Sequence, residues 1–146
     1  MKQNKPMELS YYRLTLLSYL KESHPQLSTD DNFIKTRVDE ASESYSNAIK
    51  DGLSQIEAEE LANLTLFQGL LFSRHDTIIH VLWNEFADSV PQSEASDYSK
   101  RLLPECENVF SQYDLSDEFM YSPEYNKLYT ELTGCIYLWL EGHGVQ

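Results

Sequence analysis

Asp76, His80 and Asn84 follow one another at intervals of four, the spacing that puts side chains on one side of an α-helix. With Arg74 they bring together a carboxylate, an imidazole, an amide and a guanidinium, which could begin a metal site or line a small polar pocket. The set departs from the patterns metals require. There is no HExxH, no second histidine stands at helical spacing from His80, and asparagine is a poor ligand for transition metals. The structural alternative gives Asp76 a helix cap, His80 a hydrogen bond at the rim of a core, and Arg74 a carboxylate from another helix. Nucleophilic and phosphate chemistry find no foothold, because the chain has neither GxSxG nor a glycine-rich phosphate loop. Cys106 and Cys135 each stand alone in a helical context without CxxC spacing, which predicts two reduced thiols and neither a zinc site nor a disulfide framework. No catalytic residue, cofactor or metal site is assigned, and the pattern points away from an enzyme.

A second group has binding rather than catalytic character. Tyr121, Tyr125 and Tyr129 stand four apart and Tyr137 follows after Thr133, a line that would form an amphipathic edge along a helix. Tyrosine combines contact area with a hydroxyl at low entropic cost and is enriched where proteins bind one another. The alternative is a margin of the core with hydroxyls in water.

Charge restricts the partners. The 146 residues carry a formal net charge of −13, and the basic residues occur singly or in pairs such as Lys35 with Arg37 and Lys100 with Arg101. A nucleic-acid surface needs a basic stripe, so direct DNA or RNA binding is excluded from the reading, and anionic membranes are repelled. Imitation of DNA would need long rows of carboxylates, whereas Asp39, Glu40 and Glu43, or Glu57, Glu59 and Glu60, form short groups diluted by Lys35, Arg37 and Lys50.

The elements that must position these groups read as helices. The uncharged run between Glu60 and Arg74 opens an apolar stretch from Leu61 to Trp83, whose residues cover all sides of a helical wheel, as expected of a central helix wrapped by protein. It is too short to span a bilayer, which takes roughly 20 apolar residues. A helix break is expected near Ser73–Asp76, the alternative being a kinked helix continuing to Asp88. Before it, a first helix spans Glu8–Glu22. A second is capped by Ser28 or Thr29, carries the stripe Ile34, Val38, Ala41, Tyr45 and Ile49, and stops at Gly52. Ser54 with Glu57 forms the Ser-x-x-Glu capping box that starts the central helix. After Pro91 come a polar helix over 93–103, a kink or new turn at Pro104, and an irregular link over 114–121. Ser122-Pro123-Glu124 opens the last helix, with Leu128, Leu132, Cys135, Ile136 and Trp139 inward. No segment alternates as a strand would. The expectation is an all-α fold, one compact domain over 1–146 with six to seven helices around buried central helices and a flexible terminus at 1–7. The basic N-terminus lacks the apolar core and cleavage site of a signal peptide, so a cytoplasmic location is expected.

The segment Glu8-Leu9-Ser10-Tyr11-Tyr12-Arg13-Leu14, the block 62–83 with its Leu-Phe-Gln-Gly-Leu and Phe-Ser, and the closing residues 129–140 resemble a family of unknown function of about this length from Bacteroidetes-type bacteria, some of whose members travel on conjugative mobile elements. The resemblance implies a multihelical fold with buried central helices and supplies no activity or site residue. Its mobile-element setting implies a partner-binding or host-defence-blocking role. The functional expectation is a non-enzymatic, acidic helical interaction protein that binds a protein partner or a copy of itself. The alternatives are a ligand pocket or enzyme at Arg74, Asp76, His80 and Asn84, and a DNA-mimic inhibitor.

Overall fold

The computed structural model describes residues 5–144. Seven α-helices and three 3₁₀ turns appear among them, with no strand, so the fold is all-α as expected. Contacts divide the chain into two compact units, Met1–Leu70 and Leu71–Gln146. Of the terminus expected to be flexible, residues 1–4 lie outside the described ones and 5–7 belong to the first helix.

The first unit contains α1 (Lys5–Ser23), α2 (Asp31–Lys50) and α3 (Gln55–Leu66). Its core joins Tyr12, Leu16 and Leu20 of α1, Ile34, Val38 and Ala41 of α2, and Ala62, Leu66 and Leu70. Asp30, rather than Ser28 or Thr29, caps α2 by accepting from the Phe33 N–H at 3.0 Å. The Ser28 hydroxyl instead donates to the Pro25 carbonyl at 2.7 Å, beside the 3₁₀ turn Pro25–Leu27. At the other end Gly52 takes φ +92°, and the Leu53 N–H reaches the Ala48 carbonyl at 3.0 Å. This left-handed closure is one that a residue with a Cβ adopts only under strain. The buried line of α2 runs through Ala48 instead of Ile49, which is exposed. Ser54 and Glu57 form the predicted capping box, with reciprocal bonds of 3.1 and 3.0 Å.

The turn after α3 is held by side chains from the other two helices. Arg37 donates to the carbonyls of Leu66 at 3.1 Å and Gln68 at 2.6 Å, so a cation meets the negative end of α3. The Leu70 carbonyl accepts from Tyr19 and from His24 Nε2, both at 2.7 Å. A carbonyl can only accept, so His24 carries its proton on Nε2.

The second unit contains α4 (Arg74–Glu85), α5 (Ala95–Glu105), α6 (Glu107–Phe110) and α7 (Glu124–Gly142). Phe72, Ile78, Leu82, Leu102, Phe110, Phe119, Leu128, Leu132 and Ile136 are among its core residues. The break expected near Ser73–Asp76 is present. Ser73, not Asp76, is the cap, its hydroxyl accepting from the Asp76 N–H at 2.9 Å. Pro104 lies in the last turn of α5, where the chain turns through Cys106 into α6. Ser122 does not cap α7; the helix has no side-chain cap, and the Ser122 hydroxyl donates back to the Phe119 carbonyl at 2.8 Å. Leu128, Leu132, Ile136 and Leu140 are the buried line of α7, with Cys135 and Trp139 half-buried beside it.

The stretch Leu61–Trp83 is therefore not one wrapped helix. It contains the end of α3, a turn and most of α4, and Leu61, Leu64, Leu71 and Trp83 are exposed. An apolar circumference counts apolar residues without telling which of them meet protein.

Candidate functional site

Helix geometry keeps Asp76, His80 and Asn84 on one side of α4, and Arg74, His80 and Asn84 each meet a different residue. The Arg74 guanidinium donates to Glu107 at 2.7 Å and lies 5.6 Å over the Phe110 ring, so its charge is matched by a carboxylate and an aromatic face. His80 is exposed, with its ring centroid 6.0 Å from that of Trp83. The Asn84 amide donates to the Tyr129 hydroxyl at 3.3 Å. Among the described residues no group of three or more His, Cys, Asp or Glu could hold a metal ion.

Sequence reasoning overlooked the histidine next door. His75 is buried, with Nδ1 2.8 Å from the Ser99 hydroxyl, which itself donates to the His75 carbonyl at 3.0 Å. Having spent its one hydrogen on the carbonyl, Ser99 must accept from Nδ1–H, which fixes the imidazole tautomer. A histidine beside a serine looks like a nucleophile and its base. Here the hydroxyl hydrogen points away from the ring and Ser99 is fully buried, so the pair ties α4 to α5. The signal was faint: two serines, Ser96 and Ser99, at helical spacing in a polar helix, of which Ser99 is buried and Ser96 exposed.

The tyrosine line is divided by the fold. Tyr121 lies in the 3₁₀ turn Phe119–Tyr121 and is 86 % exposed. Tyr125 packs half-buried between Phe119 and Tyr129, both ring centroids 6.3 Å away, and burial raises its pKa. The Tyr129 hydroxyl donates to Glu85 at 3.0 Å and accepts from Asn84, with burial again the main cause of a raised pKa. Tyr137 is exposed and donates to Glu141 at 3.1 Å, a bond that raises its pKa because it favours the protonated phenol. The structure thus joins Tyr125 and Tyr129 to each other and to the packing, while Tyr121 and Tyr137 face solvent.

A different surface also exposes large apolar side chains. On α3 the buried side is built from Ala58, Ala62 and Leu66, whereas Ile56 and Leu64, nearly opposite on the helical wheel, are 70 % and 69 % exposed. Leu61 and Leu53 add partly exposed apolar surface, and Glu57 and Glu60 lie on the same outer side. Apart from Leu66 the inward residues are small, and the helix keeps large apolar residues on the outer side that an ordinary amphipathic helix leaves polar. Along α2 a shallow cleft of about 420 Å³ is lined by Leu9, Asp39, Ser42, Glu43, Ser46, Asn47 and Lys50. The buried Ser42 hydroxyl there has no hydrogen-bond partner among the described residues.

The family model for "Domain of unknown function (DUF1896)" matches residues 4–145. The chain belongs to this family. The DUF1896 chain is also similar to a solved structure, titled crystal structure of protein PG0816 from Porphyromonas gingivalis. The two are 43 % identical, each covered over 99 % of its length, with a TM-score of 0.94. Porphyromonas gingivalis is a Bacteroidetes bacterium, so both the family and the bacterial group of the resemblance stand, as does the multihelical fold of DUF1896. No curated protein matches the chain, and no helix among its described residues is long and apolar enough to cross a membrane.

Proposed function

We propose that the protein is a non-enzymatic interaction module that docks a protein partner on the outer face of α3. The observation that carries this reading is the outer face of α3, where Ile56 and Leu64 stand in solvent while Ala58, Ala62 and Leu66 face the interior. Large apolar residues exposed together on one helical face are costly to solubility and mark a binding surface more often than isolated ones do. Glu57, Glu59 and Glu60 on the same helix and the net charge of −13 define the partner's chemistry, an apolar centre rimmed by lysine or arginine. A second copy of the chain would bring like charges against one another. Tyr121 and Tyr137 supply the second candidate face.

The test is capture from native lysate by the full chain, compared with an Ile56→Glu, Leu64→Glu double variant and a Tyr121→Ala, Tyr137→Ala double variant, each shown by circular dichroism to be folded. The reading requires a partner with a basic surface that is kept by the tyrosine variant, lost by the α3 variant and weakened as salt rises. Loss only in the tyrosine variant would move the site to the second unit. Equal capture by all three would remove both faces.

A further inference from the structure

We propose that Cys106 and Cys135 are a redox pair that a hydroperoxide converts into an intramolecular disulfide. The two residues stand 29 positions apart, one at the C-terminal cap of α5 and the other on α7, yet their sulfurs are 3.6 Å from each other. The Cys106 thiol points at the Cys135 sulfur, and the Cys135 thiol in turn points at the Glu105 carbonyl, 3.7 Å away. Both belong to the second unit, so the pairing depends on a single core. A disulfide bond is about 2.05 Å long, so the two sulfurs, in contact at 3.6 Å, have a short distance left to close.

The two thiols differ in access. Cys106 is fully buried in the cluster that contains Leu102, Phe110 and Leu132 and is sheltered from solvent. Burial raises its pKa above the ordinary thiol range, with Cys135 adding to the rise, so it is the slower nucleophile and reacts only with a sulfenic acid held beside it. Cys135 is half-buried and is the sulfur an oxidant reaches first. Its sulfur attacks the peroxide, the O–O bond breaks, and Cys135 sulfenic acid forms with release of water or an alcohol. The Cys106 sulfur then attacks the sulfenic sulfur. The S–S bond forms as the S–O bond breaks, and the departing hydroxide leaves as water with the Cys106 proton. Two electrons pass from the pair of thiols to the peroxide, and a dithiol reductant reverses the change by exchange.

The experiment treats the reduced, folded full chain with hydrogen peroxide, then denatures it with iodoacetamide present and measures intact mass and disulfide-linked peptides. The expected product is monomeric, lighter by two hydrogen atoms, unalkylated, and gives a linked peptide containing Cys106 and Cys135. The Cys106→Ser chain should instead carry added oxygen at Cys135, and the Cys135→Ser chain should keep an alkylatable Cys106. Two alkylated thiols in the oxidised wild type would overturn the proposal. So would sulfinic acid at Cys135 beside a free Cys106, or a disulfide that joins two chains. The decisive readout is on the wild type and does not depend on either variant folding.

Discussion

The two units spend their apolar and polar residues in opposite ways. In the first, α3 turns alanines inward and isoleucine and leucine outward. In the second, phenylalanines and leucines fill the centre, and polar residues of chemically active types are engaged within the unit: His75 with Ser99, Arg74 with Glu107, Tyr129 with Glu85. Residue type alone does not tell what a side chain meets in either unit. A helix with more apolar residues than its core consumes has surface to offer, while a histidine whose hydrogen bonds are all internal has none.

The comparison breaks first at the second core. Phe110 and Leu132 are fully buried, so Phe110→Ala should cost about 3–5 kcal/mol and Leu132→Ala about 2–5 kcal/mol, read as a lower midpoint in urea. If either costs less than 1 kcal/mol, the second unit does not hold its own centre. Oxidation should act in the opposite sense. Closing the chain between Cys106 and Cys135 restricts the unfolded state by about 3–4 kcal/mol on the loop-entropy scale, so oxidised protein should melt higher than reduced protein. An unchanged melting temperature would mean that the bond strains the core by as much as it restricts the unfolded chain.

Smaller effects test the polar locks. Ser99→Ala removes the acceptor of a buried imidazole N–H and should cost about 1–3 kcal/mol, more than the exposed His80→Ala, whose effect should stay within about 0.5 kcal/mol. A reversed order would return His80 to the list of functional groups. Ser54→Ala should cost about 1 kcal/mol through the lost capping box. Tyr113 is tied by a 2.5 Å bond to Glu131, and that bond raises its pKa to about 12. Its phenolate absorbance should therefore appear later in an alkaline titration than that of a free tyrosine, and Glu131→Gln should bring it back down. Because the folded-state value is raised, the bond contributes fully below the unfolded pKa of about 10 and is lost as pH climbs toward 12.

What was legible in the sequence was local. Gly52 as a stop, the Ser54–Glu57 box and the helix break before Arg74 each depend on a few neighbouring residues whose backbone chemistry decides the outcome. Ser28, Thr29 and Asp30 are three consecutive capping types, and sequence alone does not choose among them; in the fold Asp30 accepts the capping N–H while Ser28 bonds to Pro25. Ser122 likewise bonds back to Phe119 instead of capping. Arg74, Asp76, His80, Asn84 and the four tyrosines were visible as types and spacing, but not the Glu107 and Glu85 carboxylates that engage two of them. The cysteine pair was invisible because sequence spacing carries no information on which helices meet. Leu61 and Leu64 were misplaced because an all-round apolar wheel does not reveal that Ala58, Ala62 and Leu66 are the residues of α3 that turn inward.

The smallest expected change in stability is also the sharpest test of the comparison. Ile56→Ala and Leu64→Ala remove side chains already largely in water, so little burial is lost on folding. Each should move stability by no more than about 0.5 kcal/mol, and alanine's higher helix propensity pushes in the favourable direction. The mirror substitution is Ala62→Leu. Ala62 is fully buried, so added methyl and methylene groups must displace packed neighbours at about 1–3 kcal/mol. Chemical denaturation of the three variants measures both sides of one helix. A large loss at Ile56 or Leu64 would mean that α3 already has its partner within the chain, and the outer face would cease to be a docking surface.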